Sequence, residues 1–211
     1  MGRQEWDERY RTEELVWGAE PNRFLVEEVE GRRPGTALDL ACGEGRNALW
    51  LAEQGWRVTA VDFSAAGLAK ARELASQRHL DVDFVQADLT QWGPPAGAFD
   101  LVIVMYLHLP PADRRRVLRR AVAALAPGGE VLVVGHDSAN LTDGVGGPQD
   151  RAVLYSPAEV VADLGTGLEV LRAEQVRRPV ATGQGERYAI DALVRAKRPD
   201  GQRPRPVLAS S

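Results

Sequence analysis

The residues best placed to do chemistry lie in Asp39-Leu40-Ala41-Cys42-Gly43-Glu44-Gly45-Arg46-Asn47. A short apolar run (Ala37, Leu38, Leu40) enters a glycine turn at Gly43 and Gly45, and a helical pattern (Ala48, Leu49, Leu51, Ala52) begins at once. A strand that breaks on glycines into a helix places backbone N–H groups and a helix N-terminus beside a ligand. Small residues at Gly43, Gly45 and Ala48 let ligand and helix come close. A turn of this kind also fits a dinucleotide fold. Charge separates the two: Asp39 stands four residues before Gly43, and Glu44 lies between the glycines. Carboxylates around such a turn oppose a pyrophosphate and suit a ligand that bears an ammonium and a sulfonium.

Further acids fall where a nucleoside needs them. Asp62 follows Gly43 by 19 residues and can accept both hydroxyls of a ribose, or cap the helix after it. Phe63 suits the face of an adenine, or the core. Asp88 can accept from an adenine amino group, with the backbone of Leu89 completing the edge of the ring. Arg46, directly after the turn, is counted with these contacts.

A second group could handle an acceptor. His108 is the first candidate for a base or an orienting group, or else merely caps a helix. Tyr106 is the second. His136 and Asp137 could touch an acceptor or a metal, but two such residues without a third do not make a metal site. Trp6, Tyr10 and Trp17 suggest an aromatic N-terminal lid, since aromatic faces attract cations. Arg177 and Arg178 are neighbours on a strand, so at most one faces inward. Cys42 has no base near it in sequence and reads as a small space-filling residue.

These residues must be held by a framework, and the pattern supplies one. Strand-like runs 57–62, 82–89, 99–107 and 130–135 alternate with helical patterns, which argues for an α/β sheet with helices on both faces. Ser64 can cap a helix reaching about His79. Pro110-Pro111 open a helix that Pro127-Gly128-Gly129 close. An irregular segment 136–155 reads as a functional loop, and Ser156-Pro157 open a helix to about Leu164. Two final runs, 168–180 and 187–196, are joined by Ala181-Thr182-Gly183-Gln184-Gly185, a hairpin signal that makes the last strand antiparallel. In a parallel sheet ligands bind beyond the carboxyl ends of the strands. The acids, His108 and Tyr106 all fall there.

The 211 residues suit one domain with a substantial core, 1–198, with a helical lid over 1–30 and a Pro-rich, disordered tail over 199–211. A net charge of −4 gives no general attraction to nucleic acid or anionic membrane. The arginines at 114, 115, 116, 119 and 120 read as a solvated helix face. No apolar run is long enough to span a bilayer, the first residues are polar, and the single cysteine fits a reducing compartment. The expected location is the cytoplasm.

Taken in order, Asp-Leu-Ala-Cys-Gly-Glu-Gly-Arg-Asn (39–47), Val-Thr-Ala-Val-Asp-Phe-Ser (58–64), Gln-Ala-Asp-Leu (86–89), Phe-Asp-Leu-Val (99–102) and Leu-Ala-Pro-Gly-Gly-Glu (125–130) resemble the motifs of class I S-adenosylmethionine-dependent methyltransferases. The Gly-Glu-Gly-Arg-Asn turn, Trp6-Asp7-Glu8-Arg9-Tyr10, Trp17-Gly18 and Pro21 are similar to the tellurite-resistance and thiopurine-type branch. The resemblance implies a Rossmann-like seven-stranded, mostly parallel sheet with an antiparallel C-terminal strand. It implies S-adenosylmethionine as cofactor, with Asp39, Gly43, Gly45, Asp62 and Asp88 as contacts and no required metal. The function expected is in-line methyl transfer to a small-molecule acceptor, with a thiol or other soft nucleophile as the finer reading and no nucleic acid or membrane partner. The alternatives are a nicotinamide-dependent oxidoreductase and a non-catalytic module that binds S-adenosylmethionine.

Overall fold

The structure is a computed structural model that describes residues 2–12, 14–182 and 185–201. Part of the expected hairpin turn (183–184) and the expected tail from 202 onward lie outside the described residues. Seven strands form one sheet in the order β3-β2-β1-β4-β5-β7-β6. They are β1 (Thr36–Leu40), β2 (Arg57–Asp62), β3 (Val82–Gln86), β4 (Phe99–Met105), β5 (Leu125–His136), β6 (Glu169–Thr182) and β7 (Gly185–Lys197). The β1–β2 and β2–β3 pairs are parallel, whereas β7 runs antiparallel to both β5 and β6. This is the Rossmann-like sheet the motifs imply.

The helices are α1 (Arg3–Tyr10), α2 (Arg23–Val29), α3 (Arg46–Glu53), α4 (Ala65–Gln77), α5 (Pro111–Ala124), α6 (Asn140–Asp143) and α7 (Pro157–Leu164). Their ends follow local chemistry. Ser64 accepts from the Gly67 N–H at the start of α4, and Ser156 with Glu159 makes a capping box at the start of α7. The chain divides into two compact units, 1–93 with 99–103, and 94–98 with 104–211.

In the first unit the core is apolar and fully enclosed, with Leu25, Leu38, Leu40, Leu49, Leu51, Val61 and Leu68 buried. The strand β3 stops at Gln86, three residues earlier than its composition suggests. Asp88 causes this: its side chain accepts from the Thr90 N–H and hydroxyl, and its carbonyl accepts from Trp92, which turns the chain out of the sheet.

In the second unit Leu118, Leu125, Leu132, Val134, Tyr155, Val160 and Leu193 form the core. The Pro127-Gly128-Gly129 run lies inside β5 and does not separate helix from strand. The reason is distant in sequence: the Gly128 N–H donates to the Arg198 carbonyl, and the Arg198 N–H donates to Gly129. The segment after β5 is less irregular than expected, because α6 and a 3-10 turn at Arg151–Val153 order it. The arginine cluster on α5 is also not wholly solvated. Arg114 is buried, and its Nε donates to Asp163 of α7 at 2.8 Å.

Candidate functional site: a donor turn and an aromatic cluster

In the first unit β1 ends in Asp39-Leu40, and the chain passes through Gly43 (φ 55°) and Gly45 (φ 81°) into α3. The carboxylate of Asp62, at the end of β2, braces this turn from below. One oxygen accepts from the Gly43 N–H at 2.8 Å and the other from the Ser64 N–H at 2.8 Å. Burial nevertheless raises its carboxyl above the ordinary range, against those same amides. Each oxygen keeps a second lone pair, so bracing the turn and accepting from a ribose are compatible.

Asp39 is the exceptional group. It is completely buried, and neither side-chain oxygen has a hydrogen-bond partner. Burial, seconded by the charge of Asp62, pushes its carboxyl up to about 7, with Arg46 and a weakly placed Ala48 backbone N–H acting in the opposite sense. A buried carboxylate without donors is costly unless a cation answers it. Cys42 next to it is buried, and its thiol is pushed well above the ordinary range, so it is no nucleophile.

Glu44 is engaged on both oxygens. Its Oε1 pairs with Lys70 Nζ at 2.9 Å and its Oε2 accepts from the Val16 N–H at 2.9 Å. Of the two acids flanking the turn, Asp39 is the one with neither oxygen in a hydrogen bond. Gly45 likewise serves packing, since a Cβ there would come 2.9 Å from the Cβ of Ala71 on α4. Arg46 donates to the Trp17 carbonyl at 3.1 Å. Asp88 is exposed and occupied in its own turn, Phe63 is half-buried, and Leu89 is buried.

The N-terminal aromatics come together over this turn. Trp6 stacks on Tyr10 at 5.3 Å and meets Trp17 at 6.2 Å. Arg9 lies over the Trp17 ring at 4.8 Å, and Trp17 Nε1 donates to the Tyr10 hydroxyl at 3.4 Å. A Cβ on Gly43 would lie 2.7 Å from that hydroxyl, so the glycine is what admits Tyr10. Asp7 ties α1 down through Ser64 Oγ at 2.6 Å.

In the second unit Tyr106, His108, His136 and Tyr155 form a contiguous aromatic cluster. The His108 ring stacks on His136 at 5.4 Å and on Tyr155 at 5.6 Å. His108 Nδ1 lies 3.1 Å from the Val153 carbonyl, and Nε2 is buried with no protein partner. Because a carbonyl only accepts, Nδ1 carries the proton and Nε2 a lone pair. Burial lowers His108 to about 4, the Val153 carbonyl acting the other way, so the ring is neutral near pH 7.

Tyr106 is placed differently from a free base. Its hydroxyl donates to Asp191 Oδ2 at 2.7 Å and accepts from Arg178 Nε at 3.0 Å. Its backbone sits at φ 57°, a left-handed conformation that a tyrosine adopts only when its surroundings impose it. Arg178 is thus the inward member of the arginine pair. The Asp191 carboxyl, which burial acts to raise, is held below the ordinary range by the His136 contact, Arg178 and Tyr106. Nδ1 of His136 stands 3.1 Å from Asp191 Oδ1. Asp137 is fully buried and accepts from Ala139 and Gln175. Asp191 and Tyr155 were missed in sequence. The signal for Asp191 was a lone acid within the apolar run Ala189-Ile190-Asp191-Ala192-Leu193.

With this geometry in view, known proteins resemble one segment of the chain. Residues 37–129 match the family described as methyltransferase domain. That segment is similar to methyltransferase domains. Demethylmenaquinone methyltransferase of Thermus thermophilus is 39% identical over 114 residues, which cover 53% of this chain and 52% of that protein. The chain thus spans about half the length of this curated relative. Among solved structures, the N-methyltransferase NodS of Bradyrhizobium japonicum, in complex with S-adenosyl-L-homocysteine, superposes with a TM-score of 0.72 at 17% identity, covering 94% of this chain and 98% of that one. TehB of Haemophilus influenzae gives 0.71 at 20% identity, covering 93% and 66%. These likenesses show the fold.

The residues present fit the S-adenosylmethionine that the sequence motifs imply. A buried, partnerless carboxylate beside a glycine turn suits an ammonium group, and the adjoining carboxylate of Asp62 has lone pairs to offer a ribose.

Proposed function

We propose that the chain is an S-adenosylmethionine-dependent methyltransferase that acts on a small-molecule acceptor. The observation that carries this reading is Asp39, completely buried with both oxygens lacking donors at the end of β1. In this proposal Asp39 takes the ammonium of the donor, Asp62 its ribose hydroxyls, and Phe63 a face of the adenine. Asp88 takes the exocyclic amino group, and the backbone of Leu89 meets the ring edge. Gly43 keeps the turn narrow, Gly45 fixes α3 against α4, and Arg46 holds the Trp17 segment. The donor when bound supplies a methyl carbon already activated by a positive sulfur.

The protein's own share is alignment and dryness. Holding a nucleophile in line is equivalent to effective molarities of about 10⁵–10⁸ M. Burial of the turn and of the aromatic cluster limits competition from water. On the acceptor side, His108 is the group assigned to handle a proton, and Tyr106 holds the loop that bears it.

The finer reading is a thiol or other soft nucleophile as acceptor, in the manner of the tellurite-resistance and thiopurine-type branch. The fold likeness to TehB and the Gly-Glu-Gly-Arg-Asn turn support it. Calorimetry of the full chain with S-adenosylmethionine, S-adenosylhomocysteine and NADH tests the donor. Binding of the first two without NADH is expected, and the reverse would sink the proposal. Incubation with methyl-labelled donor and thiols, phenols, amines and RNA then tests the acceptor. Label on a small molecule is expected; label on RNA alone, or on nothing, overturns the assignment.

A further inference from the structure

A buried acid answers its burial by taking hydrogen-bond donors or by taking a proton. At the end of β2, Asp62 does the first, with the Gly43 and Ser64 N–H groups each at 2.8 Å. At the end of β1, Asp39 has no exposed surface and no hydrogen bond on either oxygen. Pairing sets Asp39 opposite Ala60, so Asp62, two residues on, shares its face of the sheet. Two acids therefore stand on one buried face, and only Asp62 is braced.

The groups around Asp39 leave it the proton. Cys42 is uncharged, because burial pushes its thiol well above the ordinary range. Arg46 on α3 and the weakly placed Ala48 N–H favour the carboxylate, but burial and the charge of Asp62 outweigh them and hold the carboxyl up to about 7. On α1, Asp7 is engaged by Ser64 and the Ala66 N–H, and burial keeps the Tyr10 hydroxyl neutral. On α4, Lys70 is engaged by Glu44 and the Glu14 carbonyl, and Arg72 by the Phe84 carbonyl. Asp100 of β4 accepts from Thr36 at the opposite end of β1. Asp39 is thus a neutral acid where an exposed aspartate is ionised.

We propose that Asp39 expels this proton to solvent when an amino-acid-bearing nucleoside binds, and that the carboxylate so formed pairs with the ligand's ammonium. This deepens the donor reading above and rests on it. No covalent bond between heavy atoms changes: one proton moves from the Asp39 carboxyl to the buffer, and the ammonium keeps its own. The free protein then holds more protons than the bound one, so raising the pH favours the bound form. Affinity for S-adenosylmethionine or S-adenosylhomocysteine climbs with pH until Asp39 is ionised in the free protein, and is level beyond that. A ligand with the same adenine, ribose and sulfur but no ammonium, 5′-methylthioadenosine, leaves Asp39 protonated and gains nothing from pH. Asp39 therefore makes recognition of the amino-acid half of the donor conditional on pH and leaves recognition of the nucleoside half unconditional.

The test is calorimetry of the full chain with S-adenosylhomocysteine, at fixed pH, in phosphate and in ACES, buffers of unequal ionisation enthalpy. About one proton should be released per ligand at about pH 6, and about a tenth of that at about pH 8. The association constant should rise about tenfold per pH unit between about pH 5 and 6.5. 5′-Methylthioadenosine should release no proton and keep its affinity within about twofold over that range. Asp39→Asn should bind S-adenosylhomocysteine without proton release and with a flat pH profile. The two wild-type titrations decide the matter even if that variant fails to fold. S-adenosylhomocysteine bound with no release, equal release with 5′-methylthioadenosine, or release that persists in Asp39→Asn overturns the inference while the donor reading stands. No binding of S-adenosylhomocysteine at any pH overturns the donor reading, and the inference with it.

Discussion

The Cβ of Ala71 lies where a side chain on Gly45 would need to be, 2.9 Å from that position, so the second glycine of the donor turn joins α3 to α4. Gly45 is also at φ 81°, in the region where any side chain is strained. Gly45→Ala should therefore destabilise the protein by about 1–3 kcal/mol. Adding Ala71→Gly should restore the steric part and leave the backbone part. Thermal unfolding of the single and double variants measures both. Equal melting points for wild type and Gly45→Ala would remove the contact from the account.

Asp39 should set stability and donor binding against each other. Its folded carboxyl is raised to about 7 from an ordinary 3.8. The stabilising, protonated state is therefore fully present below about pH 4, and stability is lost as pH rises through about 7. Asp39→Asn removes this dependence. It should melt higher than wild type at pH 8, while its calorimetric affinity for S-adenosylmethionine falls about tenfold or more. A variant that melts lower at pH 8 contradicts the buried, unanswered charge.

Asp62 holds two backbone amides, and each unpaired amide costs about 1–3 kcal/mol. Asp62→Ala should lower the melting temperature and weaken donor binding about tenfold or more. Unchanged affinity for S-adenosylmethionine, read by calorimetry, would remove Asp62 from the ribose assignment.

Tyr106 and His108 should separate cleanly on mutation. Tyr106→Phe removes a hydroxyl that Asp191 and Arg178 share, and should destabilise by about 1–3 kcal/mol. Donor affinity should be unchanged, and methyl transfer should keep the wild-type pH profile at a lower rate. A profile identical to that of His108→Asn would instead make Tyr106 the proton acceptor.

Glu44 and Lys70 should govern the N-terminal segment. The pair is largely buried, and Lys70 also donates to the Glu14 carbonyl at 2.8 Å. Glu44→Gln leaves Lys70 without its charged partner. Hydrogen exchange at residues 14–18 should speed up several-fold relative to the rest of the chain. Uniform exchange across the protein would mean the latch lies elsewhere.

Local chemistry was legible in the sequence and remote pairing was not. The bounds of β2, the Ser64 and Ser156 caps and the antiparallel last strand follow from alternation, capping residues and turn composition, all confined to a few neighbours. The inclusion of Pro127-Gly128-Gly129 in β5 depends on Arg198, and Asp88 ends β3 through a turn that a strand-like composition hides. At the candidate site, Asp39 and Asp62 are picked out by their spacing from Gly43. The fate of Glu44 did not, because Lys70 stands 26 residues away and Val16 lies 28 before it. The engagement of Tyr106 rests on Arg178 and Asp191, 72 and 85 residues on, beyond any local pattern.

The Trp17 indole, bonded to a hydroxyl that rests on Gly43, gives the protein a built-in optical probe. Its emission should change in wavelength or intensity when the polarity of the glycine turn changes. Titrations can therefore be followed on unlabelled material, with Trp17→Phe as the blank.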